Sequence, residues 1–479
     1  MAPEQLLSVG IDIGTSTTQL VISRLTLENR ASPFSVPRIA IAQREVLYRS
    51  AIHFTPLLSH TVIDAAGVRN IVEEEYRASG FDKSAISTGA VIITGETARK
   101  ENAREVLAAL SEYAGDFVVA TAGPDLESIL AARGAGAEAL SEREGSAVLH
   151  LDIGGGTSNL ALFRAGEIAA TGCFDVGGRL IKVEGGRITY LSPKVLEWKE
   201  YRGERTLEVG AEAQPTLFSP LLTDMVAALE QAAGLAPSDG LLDLFRTAGT
   251  AWTPPERVDA LSFSGGVADC IWSPPSDPFA YGDMGVLLGQ AIAASPVLNR
   301  LPLVRGAETI RATVVGAGSY STQVSGSTIF HRSIPFPLKN LPILKLTVAE
   351  EALPPGALAR AVEGKLRWFS DQEGMVPLAL GLRGEESPSY ERVRALAEGL
   401  SAGLAPLREA GFAPVVAVER DMAKVLGQAL SLRLPGPLLC LDGVSVKSGD
   451  YIDIGAPVHQ GAVLPVVIKT LAFEQERSI

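Results

Sequence analysis

The chain has 479 residues, more than one hydrophobic core organises, and this length predicts roughly two to four structural units. Hydrophobic residues make up 46% and charged residues 20%, a composition typical of folded globular proteins and not of disordered ones. The net charge of −13 repels nucleic-acid phosphates, so we expect no nucleic-acid partner.

Targeting and metal signals are also missing from the sequence. No apolar run approaches the roughly 18 residues of a spanning helix, and the first residues do not resemble a secretory signal. We therefore expect a cytoplasmic protein without a membrane partner. The cysteines Cys173, Cys270 and Cys440 lie far apart and indicate neither a disulfide framework nor a zinc-binding pair.

The N-terminal segment predicts a β-hairpin with a polar tip. Apolar residues 6–13 are followed by the small and polar residues 14–18, and then by a second strand-like run. Further apolar runs at 90–95 and 117–123 flank a helical segment. Buried strands that alternate with helices indicate an α/β sheet covered on both faces.

A second hairpin pattern over residues 147–163 repeats the first. Asp152-Ile153-Gly154 matches Asp12-Ile13-Gly14, and the two aspartates lie 140 positions apart. Repetition at the length of a domain predicts two related α/β halves. A third copy, Asp453-Ile454-Gly455, lacks the glycines and hydroxyls that follow the other two. We interpret it as a turn in a β-rich C-terminal unit.

Proline- and glycine-rich stretches suggest where the units end. We predict a first half over 1–145, a second half over 146–334 and a C-terminal mixed α/β domain over 335–479. The fold class predicted from the pattern is α/β, with two duplicated halves and an additional domain.

The two hairpin tips predict a phosphate-binding site. Glycines allow backbone N–H groups to approach phosphate oxygens without an obstructing Cβ, and hydroxyls supply further donors. Carboxylates facing a polyphosphate would repel it, so Asp12 and Asp152 predict a Mg²⁺ ion held between them. The candidate phosphate-binding residues are Gly14, Thr15, Ser16, Thr17, Gly154, Gly155, Gly156, Thr157 and Ser158.

A third element is suited to a nucleoside. Ser264, Gly265 and Gly266 end an apolar strand and open a probable helix. Ligands bind at such strand ends in doubly wound sheets, and the two glycines allow adenine or ribose to approach closely. An ordinary strand-to-helix turn is the alternative, but the position after two matching hairpins favours a nucleotide site for ATP.

These motifs, in this order, resemble the phosphate-1, phosphate-2 and adenosine motifs of the actin/Hsp70/sugar-kinase superfamily. The pair Gly177-Gly178 resembles the second glycine pair of that superfamily, and residues 315–318 resemble its small-residue interdomain helix. The resemblance implies actin-like duplicated ATPase domains with a nucleotide cleft between them. It also implies that Asp12 and Asp152 belong to the catalytic centre, and that the glycine pairs at 177–178 and 265–266 contact the nucleotide.

Segments 6–15, 93–98, 116–124 and 449–455 resemble the EutA family of ethanolamine ammonia-lyase reactivating factors, over essentially the whole chain. The resemblance implies an ATP-dependent factor that releases damaged cobalamin from that lyase, so that adenosylcobalamin can enter. The chain has no cobalamin-binding motif of its own, so the corrinoid should belong to the partner enzyme. Homo-oligomerisation, a second subunit and entry into a microcompartment stay open.

One position departs from the superfamily pattern. Heat-shock relatives place a water-positioning glutamate directly before a proline, where this chain has Gly123 before Pro124. Asp125 and Glu127 are the candidate replacements as catalytic carboxylates. The alternative is that they are ordinary acidic residues at a helix N-terminus, which the helix dipole favours. The departure implies slow ATP hydrolysis.

Two other classes of protein would bind phosphate with the same motifs. A small-molecule kinase would need a catalytic aspartate for the acceptor hydroxyl and a substrate pocket, and the sequence identifies neither. A filament-forming or membrane-anchoring actin relative would predict polymers or an amphipathic tail, and the residues 474–479 are not membrane-seeking.

Overall fold

A computed structural model of the chain describes residues 4–14, 17–29, 39–59, 62–94, 102–103, 106, 110, 119–121, 124–320, 322–326, 328–367, 370–371, 374–447, 450–458 and 463–470. Three large sheets organise these residues. Among the described residues, no helix combines the length and the apolar character that crossing a bilayer requires.

The first sheet has strand order β3-β2-β1-β5-β6, with β4 beside β2. Its strands are β1 (Glu4–Ile13), β2 (Thr17–Asn29), β3 (Ile39–Arg49), β4 (His53–Phe54), β5 (Thr88–Ile93) and β6 (Val119–Thr121). Strands β1 and β2 form an antiparallel hairpin, whereas β1, β5 and β6 are parallel. The predicted N-terminal hairpin is therefore present.

Helix α1 (Ala65–Ser79) covers one face of the first sheet. It begins where the Asp64 carboxylate accepts the N–H of Gly67, and it ends at Gly80, whose φ of 72° is left-handed. Its buried side chains Val68 and Val72 pack against apolar residues of the sheet. A short 3-10 helix (Lys83–Ala85) leads from it toward β5.

The second sheet has strand order β9-β8-β7-β12-β13, the same topology as β3-β2-β1-β5-β6. Its region comprises β7 (Ala147–Ile153), β8 (Ser158–Arg164), β9 (Glu167–Phe174), the separate ribbon of β10 (Ile181–Glu184) and β11 (Arg187–Leu191), and then β12 (Ala260–Ser264) and β13 (Leu303–Arg305). Strand β7 pairs antiparallel with β8 and parallel with β12. The duplication predicted from the repeated tripeptide is confirmed.

Helices cover both faces of the second sheet. The helices of this part of the chain are α2 (Pro124–Gly134), α3 (Ala137–Glu144), α4 (Pro193–Arg202), α5 (Pro215–Ala232), α6 (Gly240–Phe245), α7 (Ala268–Trp272), α8 (Gly285–Ala294), the 3-10 helix Leu298–Arg300 and α9 (Ala312–Tyr320). Leu149, Leu151 and Ile153 of β7 point into the larger core, which includes residues of α5 and α8. The opposite face packs Val148 against Ala132 and Ala137 of α2 and α3.

Helices α2 and α9 join the halves by crossing between them. Helix α2 packs on strands of the second sheet, α9 packs on β1 and β2 of the first, and the two helices pack on each other. Their glycines allow backbone contact, because a Cβ at Gly134 would lie 1.9 Å from the carbonyl oxygen of Ala312. A Cβ at Gly10 of β1 would lie 2.3 Å from the carbonyl oxygen of Val314. The small-residue interdomain helix expected at 315–318 is confirmed.

The third sheet is mixed, with strand order β14-β23-β22-β16-β19-β20-β21-β15. Its region contains β14 (Thr322–Val324), β15 (Phe330–Arg332), β16 (Leu338–Lys345), the separate pair β17 (Ser370–Asp371) and β18 (Gly374–Met375), and then β19 (Ala379–Leu382), β20 (Val415–Val418), β21 (Leu438–Asp442), β22 (Asp450–Ile454) and β23 (Pro465–Thr470). The expected C-terminal mixed α/β domain is confirmed.

Five helices accompany this sheet: α10 (Val348–Glu351), α11 (Pro355–Leu366), α12 (Tyr390–Gly403), α13 (Ala405–Glu409) and α14 (Ala423–Ser431). Strands β14 and β15 precede position 335, so the sheet takes in residues on both sides of the predicted boundary. The third tripeptide copy ends β22, where the Asp453 carboxylate accepts the backbone N–H of Asn340 at 2.6 Å. Asp453 and Ile454 are the last two residues of this strand, and their backbone pairs with the neighbouring strands, so the prediction of a turn is wrong, although the segment does belong to the C-terminal β-rich region.

A matched pair of glycine variants tests the close packing of α2 and α9. A Cβ at Gly316 would lie 2.0 Å from the backbone carbonyl oxygen of Leu130, so Gly316→Ala should destabilise the chain by about 1–3 kcal/mol. Gly364 of α11 has open space around its Cβ position, so Gly364→Ala should stabilise by about 0.5–1 kcal/mol. Chemical denaturation measures both, and equal effects of the two substitutions would contradict the packing.

Candidate functional site

Two buried aspartates occupy equivalent positions in the two halves. Asp12 lies one residue before the end of β1, and Asp152 lies one residue before the end of β7. Their relative exposures are 9% and 6%. The charge of Asp152 is one cause of the raised pKa of Asp12, so the two carboxylates interact electrostatically.

Burial dominates the electrostatics of this pair. It raises the pKa of Asp12 to about 7, with a further increase from the charge of Asp152 and an opposing decrease from the Thr94 hydroxyl. Burial also raises the pKa of Asp152 to about 6, against the opposing hydrogen bond from Ser264. No cationic side chain among the described residues offsets either shift. The pair is therefore suited to binding a cation that the chain itself does not supply.

Each carboxylate is held by one hydroxyl from the neighbouring parallel strand or its end. Thr94 Oγ1 donates to Asp12 Oδ1 at 3.0 Å, and Ser264 Oγ donates to Asp152 Oδ1. Both hydroxyl groups are buried. Behind Ser264 lies His150, which is fully buried, and burial lowers the pKa of its imidazole to about 3. The imidazole is therefore neutral at physiological pH.

The repeat also includes two carboxamides that sequence reasoning missed. Gln19 lies opposite Asp12 in the first hairpin, and Asn159 lies opposite Asp152 in the second. Directly opposite residues of an antiparallel pair project from the same face of the sheet. The two carboxamides are 140 positions apart, like the two aspartates, and this equal spacing is the sequence signal that could have found them.

Both carboxamide oxygens lack a hydrogen-bond partner among the described residues. Gln19 Oε1 and Asn159 Oδ1 are buried and accept no hydrogen bond within the described part of the chain. An unpaired buried acceptor costs about 1–3 kcal/mol, so such groups normally meet a ligand, an ion or water. Two carboxylates and two carboxamides are hard oxygen donors of the kind that Mg²⁺ and its bound waters prefer. The residues present therefore fit the predicted cation.

The two hairpin tips have the same turn geometry. The N–H of Gly14 donates to the carbonyl oxygen of Thr17 at 2.9 Å, and the N–H of Gly154 donates to that of Thr157 at 2.9 Å. Thr17 Oγ1 accepts from the Gln19 side chain at 3.3 Å, which leaves its hydroxyl proton for a ligand. The other two predicted donors of the first tip, at positions 15 and 16, lie outside the described residues.

Ser158 has a different partner from the one predicted. Its buried hydroxyl donates to the carbonyl oxygen of Val176 at 2.7 Å, so its proton is committed to the backbone in this structure. The bond links the second hairpin to the segment that carries Gly177 and Gly178. Two further backbone bonds connect the same segments, from the N–H of Gly178 to Gly154 and from that of Arg179 to the carbonyl of Gly155.

Five of the eight predicted glycines fall into two classes. At Gly177, Gly178 and Gly265 a Cβ would meet neighbouring atoms of the protein; at Gly265, with a φ of +87°, the nearest is 2.3 Å away. These three glycines are required by internal packing. At Gly156 and Gly266 a Cβ would meet nothing within 4 Å. Internal packing does not explain these two glycines, and the open space beside them leaves room for a phosphate or a ribose.

The two candidate catalytic carboxylates lie in the first turn of α2. Asp125 is exposed and accepts a hydrogen bond from Thr171 Oγ1 of β9 at 2.6 Å. Glu127 is half-buried. Strand β6 is parallel to β1 and leads directly to α2, so this helix starts at the edge of the sheet where β1 ends with Asp12.

Comparisons with known proteins give a consistent family. The family profile described as "Ethanolamine utilisation protein EutA" matches residues 4–474. A relative from Salmonella typhimurium (strain LT2), described as "Ethanolamine ammonia-lyase reactivase EutA", is 38% identical over 490 aligned positions that cover 99% of this chain and 100% of the relative. The relative of the same description from Escherichia coli (strain K12) is 39% identical over 483 positions, with 99% and 100% coverage.

A solved structure of a Ppx/GppA family protein from Aquifex aeolicus is also similar. It is 13% identical in sequence and superimposes with a TM-score of 0.41, over 65% of this chain and 97% of that chain.

Because burial raises the pKa of Asp12, the stability of the folded protein should depend on pH in a defined direction. The folded state binds this proton more tightly than the unfolded chain, so the stability that the proton contributes is lost as pH rises from about 4 toward about 7. In metal-free protein, Asp12→Asn should therefore increase stability at pH 8 by up to about 1.4 kcal/mol per unit of pKa shift, and change it little at pH 4. Thermal unfolding in a chelator measures the difference.

Asp82 provides a control of opposite sign. Its carboxylate accepts the N–H of Ser84, and the side-chain and backbone hydrogen bonds from that serine lower the pKa of Asp82. Asp82→Asn should lose stability at pH 8 relative to pH 3. A loss of stability at pH 8 in Asp12→Asn would contradict the electrostatic account of the site.

Proposed function

The chain belongs to the EutA family, and from that premise we propose that it is an ATP-dependent reactivating factor for ethanolamine ammonia-lyase. It binds ATP with Mg²⁺ and drives the release of inactive cobalamin from the lyase, so that adenosylcobalamin can rebind. The relatives named as reactivases align with the chain from end to end, including its C-terminal domain. A small-molecule kinase is not favoured, because those full-length relatives are described as reactivases.

One observation supports the nucleotide most directly: the acid–amide pair occurs twice. Asp12 with Gln19, and Asp152 with Asn159, place four oxygen-bearing side chains on two hairpins with the same turn. A polyphosphate repels carboxylates unless a cation lies between them. The site therefore suits a phosphate chain that binds together with a metal ion. It is less suited to a phosphate chain alone or to a metal ion alone.

The residues of the chain have distinct roles in this proposal. Bound Mg²⁺ would offset the charge of the phosphates and of the two carboxylates. Asp12 and Asp152 would hold that cation, and the carboxamide oxygens of Gln19 and Asn159 would accept hydrogen bonds from waters bound to it. The N–H groups and hydroxyls at the hairpin tips orient the phosphates, and Gly266 leaves room for the nucleoside.

The mechanical action on the lyase follows from the way in which the two halves are joined. Each half contributes one hairpin to the phosphate site, while α2 and α9 connect the halves through close backbone contact. A nucleotide that binds both hairpins favours one relative position of the halves, and its hydrolysis product favours another. A lyase bound to both halves would be strained by that change, and the strain would loosen its buried cobalamin.

We assign the attacking water to one of two carboxylates in α2. Glu127 is half-buried, whereas Asp125 is exposed and already accepts a hydrogen bond from Thr171. The residue that positions the water should slow ATP hydrolysis when changed to its amide, without weakening the binding of Mg·ATP. We place this activity in the cytoplasm, with the lyase and with any microcompartment that encloses it.

Reactivation of blocked lyase tests the proposal. Ethanolamine ammonia-lyase inactivated with cyanocobalamin is incubated with the full chain, ATP, Mg²⁺ and adenosylcobalamin, and deamination is followed. Recovery should require every component. Asp12→Asn and Asp152→Asn should each slow recovery at least about 10-fold, since ligands and their close partners have effects of this size on metal sites.

Asp453→Asn is the matched control, because Asp453 begins the third copy of the tripeptide but lies in the third sheet. The amide retains the oxygen that accepts the N–H of Asn340, so recovery should match wild type. Failure of the wild-type chain to restore any activity would remove the reactivase proposal. Full recovery with both site variants would remove the role of the two aspartates.

A further inference from the structure

A chain of buried polar side chains lies behind Asp152. The imidazole of His150 contacts Ser262 Oγ through Nδ1 at 3.0 Å and Ser264 Oγ through Nε2 at 2.9 Å. Ser264 Oγ in turn donates to Asp152 Oδ1. His150, Ser262 and Ser264 are each no more than 1% exposed. The polar path therefore runs from the interior of the second half to one carboxylate of the cation site.

The strand register builds this path. Strands β7 and β12 are parallel, with His150 beside Ser262 and Asp152 beside Ser264. The alternation of a strand places His150 and Asp152 on one face, while the residues between and beside them point into the apolar core of the other face. The sequence alone shows that one residue separates His150 from Asp152, and that one residue separates Ser262 from Ser264. It does not show the strand register that places these two pairs side by side.

Counting protons fixes the direction of every bond. Ser264 has one hydroxyl proton, and an ionised carboxylate can only accept, so that proton goes to Asp152. Ser264 Oγ must then accept from His150, which requires the proton on Nε2. In the neutral imidazole Nδ1 is then bare, and it accepts from the hydroxyl of Ser262. The path has one consistent arrangement, which ends at Asp152.

The first half lacks this path, although it has the same topology. Position 10 is equivalent to position 150 by the same 140-residue offset, and it holds a glycine. The missing side chain of Gly10 allows α9 to approach β1, and Asp12 is held by the Thr94 hydroxyl without a histidine. The fold of one half therefore does not require a polar residue at this position.

Packing alone also does not explain the histidine. The residues around it on the same face, Val148, Ala161 and Phe163, form an apolar cluster with α2 and α3. Burying polar groups there costs free energy that an aliphatic residue would avoid, even when every group is hydrogen-bonded. An aliphatic residue at position 150 could not hydrogen-bond to Ser264, and it would therefore leave Asp152 without this path.

We propose that His150 is a positioning residue of the cation site. Through Nε2–H it holds the Ser264 hydroxyl in the orientation that donates to Asp152 Oδ1, which leaves Oδ2 for the cation. The inference rests on the proposed function, because the orientation of the Asp152 carboxylate matters only if Asp152 binds a cation.

The tautomer can be measured without any ligand. Full-length protein labelled with ¹⁵N-histidine gives long-range ¹H–¹⁵N spectra in which Nδ1 and Nε2 are distinguished by protonation state. The His150 signals are assigned by their loss in His150→Gln. At pH 7 we expect a neutral ring with the proton on Nε2. A proton on Nδ1, or a doubly protonated ring, would overturn the inference, whether or not ATP binds.

Binding measurements test the positioning role. In a titration of Mg²⁺ at fixed ATP, His150→Leu should raise the half-saturating Mg²⁺ concentration by about 10–100-fold. His150→Gln retains a donor that can reach Ser264, and it should restore the wild-type value to within a few-fold. Thermal unfolding in a chelator shows whether each variant is folded. A folded His150→Leu variant with the wild-type Mg²⁺ requirement would overturn the inference.

Ser264→Ala provides a second route if His150→Leu does not fold. It breaks the path at its last link, so it should show the same increase in the Mg²⁺ requirement. Where His150→Leu folds, combining it with Ser264→Ala should give no further increase, because both changes act through one path. An additive effect would contradict the path. If wild-type protein binds no Mg·ATP, the proposed function fails, while the tautomer measurement still decides the hydrogen-bond arrangement.

Discussion

The site is dominated by two buried carboxylates, one from each half, that have no cationic partner among the described residues. Burial and mutual repulsion raise the pKa of Asp12 to about 7, and burial raises that of Asp152 to about 6. A fold keeps such a costly pair where a ligand relieves it, and strongly shifted pKa values concentrate at functional sites. The unpaired oxygens of Gln19 and Asn159 indicate the same kind of ligand, a hard cation with its waters.

The duplication explains both the symmetry of the site and its asymmetry. Each half supplies a hairpin with the same turn, one aspartate and one carboxamide. The halves then diverge at one equivalent position, where Gly10 allows α9 to approach the first sheet and His150 begins a polar path in the second. At this position the first half contacts α9, whereas the second half has a polar side chain hydrogen-bonded toward its carboxylate. This division suits a protein in which nucleotide binding moves one half against the other.

The sequence predicted the parts of the fold that depend on local pattern. The repeated tripeptide predicted the duplicated sheets and the equivalent strand-end positions of Asp12 and Asp152, and residues 315–318 identified the interdomain helix. It did not reveal the features that depend on register between strands. Gln19 and Asn159 follow their aspartates by seven positions, and only the antiparallel pairing brings each beside its carboxylate. The hydrogen-bonded path from His150 to Asp152 depends on the parallel register of β7 and β12, which the sequence does not show. The strands before position 335 join the third sheet by pairing with residues more than 100 positions away, which no local signal encodes.

A calorimetric titration of ATP into the purified full-length protein tests the central claim most directly. With Mg²⁺ present, the account predicts heat of binding with an affinity in the micromolar range or tighter, and at least about 10-fold weaker binding in a chelator. Asp152→Asn should remove most of the dependence on Mg²⁺. An absence of ATP binding in Mg²⁺, or the same affinity in the chelator, would contradict the claim that the paired carboxylates hold a metal-bound triphosphate.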